Sequence, residues 1–477
     1  MPDRINTLSF KGGYRFRGFQ GASTDELVAL TLGSHASIPL GSAGSAVVKR
    51  GEQIDVGQIV GESDHDFRRL TVSPVSGTVA AVSDDFVQID CGGDQAWPPV
   101  PGASAEWKTL STDVMEDVLL ATGSCSVVRG GLPTRHGTSE LAPEEVRRVV
   151  VHDSGSEVYR TSVAVLMRER DTTHLSVGLA ILQRLFPNSE SHVVMGAESL
   201  SALPKLNALG DHNGGGGPSL HLGSPKYPQH HESVLLESLF GEEVPARASA
   251  VDYGALVMDV QALLQIRDAV VTGKPNIERV IPLSGPGFTS NPHVQVRVGT
   301  SVERVIEPYI NRDESPKIVY NSVMTGEQVD DTSAPIGFDC TGLVAIPKAR
   351  PEFLPFMNLG GKRDSFSFTF LSSLVRVGKT LDDNLHGEER ACLACGYCEQ
   401  ICPAGILPFV LHRYVQRKII DEKLVRYGAF RCIDCNLCTY VCPSKIPLAR
   451  LIADGKQALR DEGFGPAPAV ESKEGAV

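Results

Sequence analysis

The chain has 477 residues, with 45 lysines and arginines against 57 aspartates and glutamates, a formal net charge of −12 and 42% apolar residues. That length exceeds one compact core and implies three or more domains. The acidic balance, with no block rich in lysine and arginine, excludes nucleic acid as a partner, and no run of about eighteen apolar residues is present to cross a membrane. Even the apolar segment from Ala255 to Ile266 is broken by Asp259. With no leader pattern at the start, work at a membrane would need another subunit to hold the chain there. Of eleven cysteines, eight fall in two runs near the C-terminus; Cys91, Cys125 and Cys340 share no spacing and read as buried thiols.

The first hundred residues alternate short apolar runs with turn signals, a β pattern. Val-Lys-Arg-Gly-Glu-Gln-Ile from Val48, Gly-Gln-Ile-Val-Gly from Gly57 and Pro-Val-Ser-Gly-Thr-Val from Pro74 resemble the barrel-sandwich hybrid of biotinyl and lipoyl carriers. Glu62-Ser63-Asp64-His65 stands where such a carrier needs its lysine, so the expectation is a docking barrel without a covalent group. From about Thr109 to Leu206 strands and helices alternate: a strand at Val149–His152, a helix at Thr172–Leu185 and a strand at His192–Met195. Gly210–Gly223 reads as a loop that lacks the Gly-Lys-Ser/Thr of a phosphate-binding loop. Helices are expected at Glu232–Phe240 and Leu256–Val271, the second stopped by Gly273-Lys274-Pro275. Strands at Glu278–Gly285 and Val294–Gly299, with a polar helix at Val302–Ile310, make a small β-grasp-like insert. An amphipathic helix at Leu407–Ile420 bridges the two cysteine runs, and the residues after Gly463 form a disordered tail.

The cysteine runs carry the chemistry: Cys392, Cys395, Cys398 and Cys402-Pro403, then Cys432, Cys435, Cys438 and Cys442-Pro443. This is the spacing of two-cluster ferredoxins, in which the fourth cysteine of each run serves the other cluster. The expected ligand sets are Cys392, Cys395, Cys398 and Cys442 for one [4Fe-4S] cluster, and Cys432, Cys435, Cys438 and Cys402 for the other. Paired cysteines can also bind zinc, but a triple repeat with a fourth Cys-Pro, present twice, fits zinc poorly.

Together these residues resemble a known family, the C subunit of the Rnf complex and the related A subunit of the sodium-translocating NADH:quinone oxidoreductase. The resemblance runs through Lys226-Tyr227-Pro228-Gln229, Thr272-Gly273-Lys274-Pro275 with Ile277-Glu278-Arg279-Val280, and the segment Cys432 to Leu448; Phe353 to Phe370 leans toward the quinone-reductase A subunit. It implies an α+β multidomain fold in six parts. These are a barrel-sandwich hybrid over 1–105, an α/β domain similar to the flavin subunit of complex I over 106–274, a β-grasp, soluble-ligand-binding region over 275–345, a connector over 346–385, a helical two-[4Fe-4S] ferredoxin domain over 386–462, and the tail 463–477. It also implies a peripheral electron-transfer subunit on the cytoplasmic side of the cell membrane. The partners would be membrane subunits of the same complex and a soluble donor or NADH-oxidising subunit.

The departures from the family bear on flavin. Members that bind FMN carry a turn of the type GxGGAGFPT, and here it reads Ser126-Val127-Val128-Arg129-Gly130-Gly131-Leu132-Pro133-Thr134. A second motif, NGAECEPY, is matched by His152 to Tyr159 and keeps Glu157 and Tyr159; a third, near Met258-Asp259-Val260-Gln261, has lost its Asn-Val-Gly. The resemblance therefore leaves Gly130, Gly131, Glu157 and Tyr159 as flavin or NADH contacts in a degraded site, with Arg129 as a phosphate ligand in the turn, and the bulk at Val128 and Arg129 argues against bound FMN. The rival readings are an FMN-dependent NADH dehydrogenase subunit, a soluble flavin or cobalamin reductase with the same domains, and a docking subunit without redox chemistry. His230-His231 reads as a solvated pair, His386 as a surface histidine within reach of the first run, and Lys445 and Arg450 as charges flanking the second run, Arg450 also explained by a helix C-terminal preference.

Overall fold

The computed structural model describes residues 5–464 apart from 42–43, 64–66, 204–216, 243–248, 312–314, 350–361, 367–373, 375–376 and 385–387. The chain divides into two compact units, the first made of 1–7, 20–223 and 254–348, the second of 8–19, 224–253 and 349–477. His386, the expected tail beyond 464 and most of Phe353–Phe370 lie outside the described residues.

In the first unit, two small antiparallel sheets form the barrel-sandwich. One orders His35–Pro39, Phe86–Cys91, Gly77–Val82 and Gln53–Ile54; the other orders Ser45–Ala46, Ile59–Ser63 and Arg69–Val72. Strand alternation puts every second side chain on one face. The register Ala36↔Ile89 and Ile38↔Val87 therefore stacks four apolar side chains into a core shared with Val48, Ile54, Val60, Val75 and Val79.

A parallel sheet follows in the order Asn6–Thr7, Ser219–Leu222, Glu190–Met195, Arg148–His152 and Ala255–Asp259. Two expectations fail here. Residues 256–259 belong to the strand Ala255–Asp259, and the helix begins at Val260 and runs to Thr272. A parallel strand buried on both faces is a continuous apolar run and carries no alternation to separate it from a buried helix. Asp259 marks the boundary, its carboxylate accepting from the Ala262 N–H at 2.7 Å as the helix cap. Ser219–Leu222, placed in the expected Gly210–Gly223 loop, is a strand paired to Glu190–Met195. The helices Thr172–Leu185 and Val260–Thr272 pack against each other beside this sheet.

The fourth sheet of this unit orders Glu327–Gln328, Lys317–Tyr320, Leu343–Ile346, Glu278–Ser284, His293–Arg297 and Leu27–Ala29. Glu278–Ser284 and His293–Arg297 are antiparallel, whereas Leu343–Ile346 runs parallel to Glu278–Ser284. The short helix Val302–Ile306 buries Val302, Val305 and Ile306 against Ile281, Leu283, Val294 and Val296. The expected helix to Ile310 ends earlier, with Glu307–Tyr309 in a 3-10 turn around Pro308.

The second unit is helical. Pro408–Gln416 and Leu448–Asp461 pack together, with Ile406, Leu411, Leu424, Phe430, Ile452 and Leu459 between them and the short helices nearby. The expected helix to Ile420 stops at Gln416, and the chain turns through Lys418 at φ +55°. The segment 8–19 belongs to this unit: Gly13 N–H donates to the Ile401 carbonyl at 2.9 Å, and Tyr14 and Tyr227 exchange backbone hydrogen bonds at 3.0 and 2.9 Å. Gly12, at φ +69°, lies so close that a Cβ there would stand 2.6 Å from the Ile401 oxygen. Only glycine satisfies both conditions.

Candidate metal centre

The two cysteine runs fold alike. Ala394 and Gly396 in the first, and Asp434 and Asn436 in the second, have positive φ of 53°, 77°, 55° and 62°. These turns wrap the first two cysteines of each run around a loop. Each loop leads into a four-residue helix, Tyr397–Gln400 or Leu437–Tyr440, which carries the third cysteine. The fourth cysteine closes the last turn, its N–H donating at 3.2 Å to the Glu399 carbonyl in one run and the Thr439 carbonyl in the other. The prolines that follow, Pro403 and Pro443, prevent the helix from continuing.

The packing groups the cysteines across the runs. Cys402 shares an apolar cluster with Cys432, while Cys398 and Cys442 share another with Cys438 and the partly buried Cys392. Charge couples the runs as well: Cys402 is felt by Cys432, Cys435 and Cys438, Cys442 is felt by Cys398 together with Cys395, and Cys438 also feels Cys398. Burial pushes the Cys398 thiol up to about 11 and the Cys432 thiol up to about 12, and it raises Cys435 and Cys438 further, with the neighbouring sulfurs adding to the rise. Buried thiolates that repel one another are stable only around a cationic core, which deprotonates them. Burial also raises Cys402, but the N–H groups of Ile406, Ala404 and Gly405 face its sulfur and favour the thiolate. Phe409 and Glu399 do the same for Cys398 and Leu437 for Cys435. Among the described residues, no three His, Cys, Asp or Glu side chains converge closely enough to hold one metal ion. A tetrahedral zinc requires such a point, whereas cubane thiolates each bind a different iron and need only surround a common volume.

Aromatic side chains of the same unit lie beside the second run. Tyr14, Phe16 and Tyr440 form edge and tilted pairs with ring centroids 5.0 to 5.6 Å apart, and Tyr227 joins Phe16 at 5.9 Å. The Tyr440 hydroxyl donates to Asp364 at 2.8 Å, and burial raises its pKa well above the ordinary value. The histidines next to the Tyr227 motif are half-buried rather than solvated, and His231 caps the helix Glu232–Phe240 by accepting from the Ser233 N–H at 3.3 Å. Arg450 lies in the first turn of Leu448–Asp461, so a helix C-terminal preference does not explain it.

The carboxyl ends of the parallel strands form the other candidate site, the edge where open α/β sheets bind ligands. The buried Asp153 carboxylate accepts there from the N–H groups of Gly155 at 2.8 Å and Gly196 at 2.7 Å, and Gly196 heads the helix Ala197–Ala202. Asp259 likewise caps Val260–Thr272, so the N-termini of these two helices each hold one of the chain's own carboxylates. In the turn, Val128 is buried in extended conformation, and Gly130 and Gly131 both have φ of 80°. A Cβ on Gly131 would stand 1.9 Å from the Thr138 carbonyl oxygen, so the space at this glycine is filled by backbone. Glu157 accepts from the Ser322 hydroxyl at 3.1 Å, and the buried Tyr159 donates to the Gln20 carbonyl at 2.7 Å.

Residues 8–92 match the RnfC barrel sandwich hybrid domain, 127–268 the Nuo51 FMN-binding domain and 391–446 the 4Fe-4S dicluster domain. The C subunit of the ion-translocating oxidoreductase complex of Pseudomonas aeruginosa is 27% identical over 95% of this chain and 55% of its own length. The C subunit of the proton-translocating ferredoxin:NAD(+) oxidoreductase complex of Clostridium ljungdahlii is 25% identical over 82% and 79%, and the Na(+)-translocating counterpart of Acetobacterium woodii 23% over 83% of each chain. Along most of its length the chain is similar to the C subunits of ion-translocating oxidoreductase complexes. It is a multidomain α+β chain with the barrel-sandwich, the α/β domain and the iron-sulfur domain in that order, and it spans about half the length of the Pseudomonas relative.

This chain departs from the Nuo51 domain at the flavin. An FMN phosphate needs free backbone N–H donors and room for close approach. Here Asp153 and Asp259 each take an N–H at a helix start, Gly196 and Ala262, and their carboxylates repel an anion, while the turn is closed by Val128 and Thr138. These residues do not fit the group. Sequence reasoning missed Lys456, although its position on the apolar stripe between Ile452 and Leu459 of an amphipathic helix is a legible signal.

Proposed function

We propose that this chain is an electron-relay subunit that carries two [4Fe-4S] clusters, one on Cys392, Cys395, Cys398 and Cys442, the other on Cys432, Cys435, Cys438 and Cys402. The observation that carries the reading is that each fourth cysteine packs with cysteines of the other run, Cys402 with Cys432, and Cys442 with Cys398 and Cys392, Cys438 also joining the second group. When bound, the clusters supply one-electron chemistry; the chain contributes thiolates, N–H donors to sulfur and an apolar surround. Its place is a membrane-bound, ion-translocating oxidoreductase of the kind its relatives' names describe, between a soluble donor or NADH-oxidising partner and membrane subunits. Peripheral attachment on the cytoplasmic side belongs to the same proposal; no helix among the described residues is long and apolar enough to cross a membrane.

In this reading the α/β domain serves as scaffold, and Gly130, Gly131, Glu157 and Tyr159 hold the chain's own backbone and side chains rather than flavin or NADH. The order of the mixed sheet, a hairpin followed by a helix and a last strand parallel to the first, supports a β-grasp at 275–345. The other domain limits inferred from the sequence form part of the same proposal. Anaerobically prepared protein is expected to hold about eight irons and about eight sulfides per chain and no stoichiometric FMN. Half that iron, or zinc in its place, would overturn the two-cluster assignment; tight FMN with NADH-driven bleaching of the clusters would instead make the chain the dehydrogenase.

A further inference from the structure

Lys456 is 5% exposed, on the inward stripe of Leu448–Asp461. Its ammonium donates to the carbonyl oxygen of Cys432 at 3.2 Å and to the carboxylate of Asp434. Asp434 also lies 3.7 Å from the Cys432 sulfur, with 56% of its side chain exposed. Packing alone favours an apolar residue at such a site, because a buried ammonium carries a desolvation cost. The first run, which has the same positive-φ backbone, has neither charge. Ala394 stands in the place of Asp434, and Gln416, exposed at the end of Pro408–Gln416, stands in the place of Lys456.

We propose that the Lys456 ammonium raises the reduction potential of the cluster held by Cys432, Cys435, Cys438 and Cys402, with Asp434 opposing it, while the equivalent positions beside the other cluster, Ala394 and Gln416, carry no such pair. The inference rests on the two-cluster reading above. Reduction adds one electron from the relay's donor and leaves the cluster one charge more negative. A nearby cation stabilises that form over the oxidised one, and a carboxylate does the reverse. Asp434 is nearer the Cys432 sulfur, but water screens it, whereas Lys456 is shielded from solvent. Lys456 itself takes up neither electron nor proton; it positions charge.

The test is a redox titration of the anaerobic holoprotein followed by electron paramagnetic resonance, comparing the wild type with Lys456→Met, Lys456→Arg and Asp434→Asn. Lys456→Met is expected to lower one of the two midpoints by about tenfold in the one-electron equilibrium constant, about 59 mV, and to leave the other in place. Lys456→Arg keeps the wild-type value, and Asp434→Asn moves the same midpoint upward. Asparagine accepts the positive φ of residue 434 and the side chain is half in water, so this variant reads the effect even if Lys456→Met does not fold. With both clusters at full iron, unmoved midpoints, or equal shifts of both, would leave Lys456 a structural residue and overturn the inference. Absence of iron from the wild type would overturn the cluster reading itself.

Discussion

The hydroxyl of Tyr227 donates to the carbonyl of Cys435 at 3.0 Å, tying the motif Lys226-Tyr227-Pro228-Gln229 to the loop of the second cysteine run. Tyr227 is 2% exposed, so its hydroxyl has little access to water as a substitute partner. Tyr227→Phe keeps the ring packing on Phe16 and leaves that carbonyl without this donor, which costs about 1–3 kcal/mol when the group is buried. Loss of cluster absorbance during denaturant titration should shift to lower denaturant by that amount. An unchanged midpoint would mean that the bond is idle.

Asp153 gives the second prediction. Its buried carboxylate serves two half-buried N–H groups, those of Gly155 and Gly196, so Asp153→Ala should destabilise the first unit by about 1–3 kcal/mol. The same change frees the donors and removes the negative charge from the sheet edge. If the carboxylate blocks flavin, FMN added to Asp153→Ala binds more tightly than to wild type, as read by flavin fluorescence quenching. Equal, tight binding by both proteins would contradict the account of this edge.

Acid should loosen the parallel sheet through His192 and His221. The two imidazoles stack on adjacent strands, with Nδ1 of His192 and Nε2 of His221 3.1 Å apart. Burial, and then the neighbouring imidazole, pushes His221 down to about 4, and burial lowers His192 as well. Both groups bind protons more readily unfolded, near pH 6.5, than folded. Stability is therefore full above about pH 6.5 and declines as pH falls toward about 4. Hydrogen-exchange protection in 190–195 and 219–222, measured relative to the intrinsic rate at each pH, should fall as pH drops across that window, and His221→Asn should flatten the response. Protection that stays constant with pH in the wild type would contradict the assignment.

Much of this architecture can be read from the residues, and the failures have physical causes. The helices Thr172–Leu185 and Glu232–Phe240 are amphipathic or capped, and the sequence places them to the residue. The segment 256–271 reads as one helix because a buried parallel strand and a buried helix have the same apolar composition, and the Asp259 cap then looks like a mere interruption. Cluster spacing is a local signal and therefore legible. Lys456 reaches the second run from 24 residues away, a tertiary relationship that no spacing encodes. Asp153 filling the flavin edge belongs to the same class, since its partner Gly196 is 43 residues distant.

Cross-ligation is the central claim, and iron content in a simplified protein tests it most directly. With Cys432, Cys435 and Cys438 all changed to serine, about four irons should remain on the first cluster. Adding Cys402→Ser to that background should leave those irons in place, whereas adding Cys442→Ser should remove them or make them labile. The reverse result, with Cys402 needed and Cys442 dispensable, would contradict the reciprocal arrangement and assign each cluster to its own run.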